Sequence, residues 1–362
     1  MANSSKPPGI REIAEILRVS IGTVDRALHG RTGISDRTRA RVLKKAEELG
    51  YQPNLAARAL KLNRTLSIAA VLPRHISHFF DPLRQGIRDA AAATVRVSAS
   101  LQFHDYSRVG VGDLDALQRA AKKEYDGIIF LPGDSRSFDP LIGKISQAGT
   151  AVMCVGSDAP GSARIGSVTV DAVVSGGIAA ELLSISLPDR ASVAMITGEL
   201  STMDHAEKLR GFAATLAVQA PHISLLPVLE SHENPREAYR LTRALMQRKP
   251  RPDGLYLSTA NSLPVLQALS ELGMLGKVRI VATDLFRQLA SLIEAGLVLA
   301  SLHQRPSTQG KLAFETLLQY LLEGRVPQRV IRLAPHIVLR SNVSLFSAQL
   351  AAADHEPESD SL

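Results

Sequence analysis

The chain changes its hydrophobic period once, close to residue 65. Before that point apolar residues recur at helical spacing. Ile10, Ile13, Ala14 and Leu17 mark a short amphipathic helix over 10–17. Val19-Ser20 interrupts it. Ser20 can cap a second helix over 21–28 that turns Val24, Ala27 and Leu28 inward, and Gly30 stops it. A third helix runs from the cap Ser35 to Leu49, ends at Gly50, and is expected to bury Val42, Leu43, Ala46 and Leu49. Tyr51-Gln52-Pro53-Asn54 then breaks the chain, and Asn54 can cap one more short segment over 55–60. Two short helices joined by a tight turn form a helix-turn-helix unit, whose second helix lies in the major groove of DNA.

From Leu66 onward, apolar runs of strand length alternate with helical patterns. Runs at 66–72, 95–101, 127–131, 151–155, 192–197, 254–258 and 278–282 read as buried strands, and 299–302 as a late crossover. Helical patterns cover 81–94, 112–123, 172–183, 206–219, 234–247, 261–272, 286–295 and 308–323. This alternation predicts an α/β region of parallel sheets covered on both faces. The strands are too many for one sheet, so two doubly wound lobes are expected, with a ligand cleft where strand C-termini converge. The whole then reads as an N-terminal all-α helix-turn-helix headpiece (1–52), a hinge and linker (53–65), two doubly wound parallel-sheet lobes (66–349) and an acidic tail expected to be disordered (350–362).

Charge sharpens this division. Residues 1–65 carry 13 Lys+Arg against 6 Asp+Glu, while the other 297 residues carry 29 of each, so the whole net +7 sits at the N-terminal end. That asymmetry points to a polyanionic partner for this segment, the bland alternative being a solvated basic face. Its single aromatic, Tyr51, gives no platform for stacking single-stranded bases, so duplex DNA is the better polyanion. No apolar run approaches the ~18 residues of a membrane span, and no secretory signal is visible, so a cytoplasmic location is expected.

Enzyme signatures are missing. There is no Gly-x-Gly-x-x-Gly after the first strand, no phosphate-binding loop, no Gly-x-Ser-x-Gly elbow and no His-Glu-x-x-His spacing. The one cysteine, Cys154, lies in an apolar run and reads as a buried, inert thiol. No catalytic residue, metal site or cofactor is expected.

The N-terminal pattern is specific. Ile10-Arg-Glu-Ile-Ala14, Thr23-Val24-x-Arg26-x-Leu28-x-Gly30, Ser35-x-x-Thr38-Arg39-x-Arg41-Val42, Leu49-Gly50-Tyr51-x-Pro53-Asn54 and Ala57-Arg58-x-Leu60 resemble the DNA-binding headpiece of the lac repressor/galactose repressor family. The resemblance implies that Ile21 and Gly22 set sequence preference and that Arg26 reaches a base edge such as that of guanine. It makes Ser20, Thr23, Arg39 and Asn54 phosphate or positioning groups. Asp25 stands where serine is usual, His29 where asparagine is usual, and Arg18 where the turn usually has glycine. The segment 54–61, with Ala57 and Leu60, would order on DNA beside a second protomer and wedge Leu60 into the minor groove. The alternative is that Leu60 packs on the following domain.

The rest of the chain resembles the sugar-binding core shared by those repressors and periplasmic pentose- and hexose-binding proteins. The runs that carry this are Ile76-Ser-His-Phe-Phe80, Ser157-Asp158-x-Pro160-x-Ser162-x-Arg164, Arg210-Gly211-Phe212, Asn261, Thr283-Asp284 and Gly296-x-Val298-x-Ala300-Ser301-x-x-Gln304-x-Pro306. A polyol has apolar C–H faces and a ring of hydroxyls, so Phe79 and Phe80 would supply the walls. Asp158, Arg164, Arg210, Asn261, Asp284 and Gln304 would meet the hydroxyls, and His78, where the family commonly has proline, would tune the choice. The reading is a homodimeric DNA-binding regulator, expected to be a repressor, whose grip on double-stranded operator DNA is set by a small sugar or polyol. The alternative is a sugar receptor or transport component with no DNA role.

Overall fold

The protein is described as a computed structural model covering residues 10–28, 32–49, 65–94 and 99–346. The chain divides into two compact units, passing from one to the other at Thr65–Leu66. In the first, α1 (Ile10–Leu17), α2 (Ile21–Leu28) and α3 (Asp36–Glu48) pack pairwise around Ile13, Ala14, Val24, Ala27, Val42 and Ala46. Each helix contributes one stripe at helical spacing. Two serine caps begin α2 and α3. The Thr23 N–H donates to Ser20 Oγ at 3.0 Å and the Thr38 N–H to Ser35 Oγ at 3.2 Å. Each cap satisfies an otherwise orphaned amide, worth about 1 kcal/mol.

Two local features of this unit depart from the pattern. Arg18 turns the chain between α1 and α2 with φ +51, a left-handed conformation that costs a side-chain-bearing residue ~1–2 kcal/mol. Leu43, expected inside, is 46% exposed. It lies one residue from Val42, about 100° round α3 and off the buried stripe.

The second unit holds two lobes. The first contains β1 (Leu66–Pro73), α4 (Ser77–Ala93), β2 (Ala99–Tyr106), α5 (Asp113–Ala121), β3 (Gly127–Phe130), α6 (Asp139–Gln147), β4 (Ala151–Val155) and β5 (Gly166–Val170). The second contains α7 (Ala172–Ser186), β6 (Ser192–Thr197), α8 (Met203–Gln219), β7 (Ser224–Leu225), β8 (Leu229–Glu230) and α9 (Pro235–Gln247). It continues through β9 (Gly254–Leu257), α10 (Leu263–Glu271), β10 (Arg279–Thr283), α11 (Arg287–Glu294) and β11 (Ala300–His303). The chain then returns through α12 (Pro306–Glu323) and β12 (Val330–Leu333) to the first lobe, and ends with β13 (His336–Val338) in the second. The first sheet is all parallel in the order β12-β5-β4-β3-β1-β2. The second runs β13-β11-β10-β9-β6-β7, with β8 also on β6 and only β13 antiparallel.

Strands β3, β4, β6 and β9 are buried on both faces, which is why they appear in the sequence as unbroken apolar runs. The edge strand β2 is different. It lies at Ala99–Tyr106, not 95–101, and is only partly covered, so Gln102, His104 and Asp105 are tolerated within it. β5, with its Ser and Thr, the two-residue strands β7 and β8, the partly covered β12 and β13, and the helix α6 carry no such run, and the periodicity did not reveal them.

Glycines set how the crossing helices seat. A Cβ on Gly176 of α7 would strike the Lys208 carbonyl, and one on Gly211 of α8 would strike the Val173 carbonyl. In the other lobe, Gly86 of α4 lies against the Ser307 carbonyl and Gly310 of α12 against that of Leu83. Each lobe thus holds its incoming crossover helix by a reciprocal glycine contact that admits no side chain.

Candidate functional site

The candidate cleft residues sit where strands end. In the second lobe Asp284 follows β10, is 1% exposed, and has φ +65. Its carboxylate accepts from the Gln304 N–H at 3.0 Å and from Gln304 Nε2 at 2.6 Å. Burial pushes this carboxyl up, but the His303 hydrogen bond and charge, the Gln304 N–H and the Lys208 ammonium outweigh it and hold the group below the ordinary carboxylate range. Lys208 on α8 closes the network. Its Nζ donates to Gln304 Oε1 at 2.8 Å, to Asp204 Oδ2 at 2.6 Å and to the Ser258 carbonyl at 3.2 Å. Beside it the Asn261 N–H donates to Thr259 Oγ1 at 3.0 Å, which donates to the Glu233 carboxylate at 2.8 Å.

The first lobe supplies the apolar wall. Phe79 and Phe80, in the first turn of α4, are buried edge-to-face at 4.9 Å, and Phe79 lies against Gly156 just past β4. Neighbouring His78 reaches across to the other lobe. Its Nε2 is 2.8 Å from the Ala260 carbonyl and its ring 4.5 Å from that of Phe286. Thr202 Oγ1 donating to Gly133 O at 2.8 Å, and the Ser135 N–H to Ser201 O at 3.1 Å, also join the lobes. Between them Ser157 Oγ, Asp204 Oδ1, Ser258 Oγ, Asn261 Nδ2 and Ser262 Oγ are buried with no protein partner among the described residues. Buried polar atoms are nearly always bonded, so a concentration of unpaired donors and acceptors beside an aromatic wall suits a ligand carrying many hydroxyls.

The headpiece presents a different surface. Ile21, Gly22 and Arg26 are exposed on one side of α2. Arg26 runs back along the helix: its Nη2 lies 3.7 Å from where a Cβ on Gly22 would stand. A cation at the N-terminal end of an exposed helix face is placed to contact nucleic acid.

Residues 9–54 match bacterial regulatory proteins of the lacI family, and residues 68–325 match a periplasmic binding protein domain. The chain belongs to the lacI family. Its relatives include catabolite control protein A of Priestia megaterium, 24% identical over 92% of this chain and 98% of that protein. The ribose operon repressor of Haemophilus influenzae is 25% identical, again over 92% and 98%. Among solved structures, the glucose-galactose binding protein GanP of Geobacillus stearothermophilus superposes with TM-score 0.71 at 21% identity, covering 77% of this chain and 99% of that one. A solute binding protein of Agrobacterium vitis bound to alpha-D-tagatopyranose does so with TM-score 0.73 at 19% identity, covering 81% and 100%. This lacI-family protein is a DNA-binding transcriptional regulator under small-molecule control.

Within this lacI-family chain, His78 reaches the Ala260 carbonyl next to Asn261, Asp284 and Gln304 bond each other, and Phe79 packs edge-to-face on Phe80. Asp158 and Arg164 are together too, but on each other. Arg164 Nε and Nη2 both bond the Asp158 carboxylate, so the pair enters the cleft wall as one neutral unit rather than as two free partners. Arg210 is a correction. Its side chain is 66% exposed and bonds Glu207 one helical turn away. Gly211 and Phe212 mark the buried face of α8, and a residue sharing that face stands three or four positions back, which is Lys208. That spacing was the signal missed.

On the headpiece Ser20 and Thr23 cap α2 with their hydroxyls 2.8 Å apart, while Asp25 and Arg39 are half-buried. His29, Asn54, Ala57 and Leu60 lie outside the described residues, as does the tail 350–362. Cys154 is buried, and burial pushes its thiol up to about 12, which leaves it unreactive. Glu199, Glu230 and His232 have ligand-type atoms within 4.8 Å of one another, and His232 Nδ1 bonds Glu199 at 2.8 Å. An ion pair accounts for that trio. No helix among the described residues is long and apolar enough to cross a membrane.

Proposed function

We propose that this regulator is a homodimer that binds a pseudo-palindromic operator through two copies of α2, and that a sugar or polyol between the lobes controls its grip. One headpiece reads only a half-site, so two-fold symmetry in the protein is matched by near-palindromy in the DNA. Ile21, Gly22 and Arg26 read bases, Ser20, Thr23 and Arg39 position the backbone, and Leu60 wedges the minor groove. The single observation that carries the effector half is the buried Lys208–Gln304–Asp284 chain at the strand ends of the second lobe. Sugar binding by two of the solved structures named above, the glucose-galactose binding protein and the one bound to alpha-D-tagatopyranose, supports the same ligand class. The protein acts in the cytoplasm and turns over no substrate.

Thermal-shift screening of the full chain against sugars and polyols tests this, since a ligand of the native state raises the melting point. A hit must also change affinity for operator DNA. A hit without any salt-sensitive duplex binding would favour a receptor with no DNA role. Leu60→Ala should reduce the bend of bound DNA, and an unchanged bend would remove the wedge.

A further inference from the structure

A groove of about 610 Å³ opens between the lobes, lined on one side by Arg74, His75 and Asp105 through Arg108, and on the other by Glu233 and Pro235. Its cationic wall is built, not loose. The Arg74 N–H donates to Tyr106 O at 2.9 Å and the His75 N–H to Ser107 O at 3.1 Å, which fixes the ends of β1 and β2 side by side. The acids of the groove already have partners. Asp105 accepts from Arg84 at 3.0 Å and lies 3.6 Å from Arg74. Glu233 accepts from Thr259 at 2.8 and 2.9 Å, with His205 Nε2 at 3.4 Å. Two nitrogens of this wall are unpaired: Arg108 Nε and His75 Nε2 are both buried without a partner among the described residues.

The Arg74 and Arg108 guanidinium groups beside the unpaired His75 imidazole nitrogen form a receptor for oxygen anions, and Arg in particular matches the planar geometry of carboxylate and phosphate. The volume suits a small metabolite. We propose that this groove binds the oxyanion of a small acidic metabolite, a phosphate monoester or a carboxylate, held by Arg74, His75 and Arg108. The inference rests on the ligand-controlled reading in one respect, that a molecule touching both walls favours the closed lobes. Burial and then the Arg108 charge hold the His75 imidazole below its ordinary value, against the pull of Glu233. An anion beside it raises that value, so binding takes up a proton and strengthens as pH falls towards 6. The other charged groups facing His75 are Arg74, Asp105 and His78, and the His78 ring is tied to the Ala260 carbonyl.

The test is thermal melting of the full chain at constant ionic strength with inorganic phosphate, glucose 6-phosphate, gluconate and glucose. A saturable rise with phosphate and one of the two acidic sugars, absent with chloride, is expected, and the pair of sugars tells phosphate from carboxylate. Arg108→Gln should weaken it about tenfold or more. Arg74→Gln, at a side chain 76% exposed and so without risk to folding, should weaken it severalfold. No saturable rise with any of the three anions, or a rise equal in both variants and the parent, overturns the proposal. Neutral polyols that raise the melting point while the anions do not would overturn it and leave the cleft reading standing.

Discussion

Replacing Lys208 by methionine keeps the length of the side chain and removes one charge from the cleft. The ammonium is 1% exposed and bonds Asp204, Gln304 and the Ser258 carbonyl. Without it the Asp204 carboxylate, 10% exposed, is left with no cation in contact, and Gln304 Oε1 loses its donor. Breaking a buried pair from one side costs about 3–5 kcal/mol. Asp204 retains a little water, so the lower end, about 3 kcal/mol, is the expectation. In a domain of this size that is a fall of roughly 6–12 °C in melting temperature. Effector binding should weaken by more than tenfold, because Gln304 is then free to turn from Asp284, and Lys208→Arg should recover part of it. Arg210→Ala is the companion variant. An exposed pair one helical turn apart contributes about 0.2–0.5 kcal/mol, so melting should move by a degree or two at most and effector response not at all. Scanning calorimetry reads the first quantity, and fluorescence anisotropy on operator DNA with and without effector reads the second. A lost response in Arg210→Ala with a retained one in Lys208→Met would refute the assignment of the cleft.

Arg26→Ala should cost on the order of 1–3 kcal/mol on operator DNA and relax one base preference, whereas an equal loss on all sequences would make Arg26 a phosphate contact. Gly22→Ala meets nothing closer than 3.7 Å, so it should stabilise α2 by up to about 1 kcal/mol while changing DNA affinity; unchanged affinity would take this face off the DNA. Arg18→Gly relieves φ +51 and should slow hydrogen exchange in α1 and α2 by about 1 kcal/mol, and faster exchange there would show that the turn carries no strain. Burial holds His75 and His78 below their ordinary value, so the unfolded chain takes up protons first and stability falls as pH drops through about 6.5. His78→Asn should flatten that fall; an identical slope would exclude His78 as a source. Asp284, held low, loses its contribution only in acid, below about pH 4.

The elements most legible in the sequence were those whose burial is complete. β4 and β6 appear at the residues expected, because a strand covered on both faces must be apolar throughout. The three headpiece helices were equally plain, each carrying a stripe and two of them a serine cap. What the pattern hid was one-sided or short: β2 at the edge, and β7 and β8 of two residues. The cleft followed the same logic. Asn261, Asp284 and Gln304 were singled out by the resemblance to sugar-binding cores; Asp284 and Gln304 stand directly after β10 and β11, and Asn261 in the loop after β9. Lys208 could not be found that way. It lies inside a helix, its ammonium is buried by contacts from its own helix and two other segments, and its neighbour Arg210 is the more conspicuous cation. Only the helical phase relative to Gly211 separates them. Asp158 and Arg164 were each recognised singly, but no spacing rule reveals that they satisfy one another.

The reciprocal glycine contacts bear on how a ligand is felt. α7 enters the second lobe just after Asp171 and is locked to α8 through Gly176 and Gly211; α12 enters the first just after Arg305 and is locked to α4 through Gly310 and Gly86. Helices seated backbone to backbone resist sliding, since close-packed interiors have discrete arrangements rather than soft ones. Movement between the lobes therefore falls to the short connections themselves. Asp171 caps α7 there, accepting from the Val174 N–H at 3.0 Å, and Arg305 holds φ +59. Gln304 immediately precedes that second connection. Its amide bonds Asp284 and Lys208 at the cleft, while its carbonyl accepts from Gln309 Nε2 of α12 at 2.8 Å. One residue is thus tied to the cleft by its side chain and to the crossover helix by its backbone. On the proposed reading, a hydroxyl that pulls on the Gln304 amide acts on the connection between the lobes directly, with no longer pathway required. With each crossover helix locked within its lobe, the angle between the lobes is the quantity such a ligand would change.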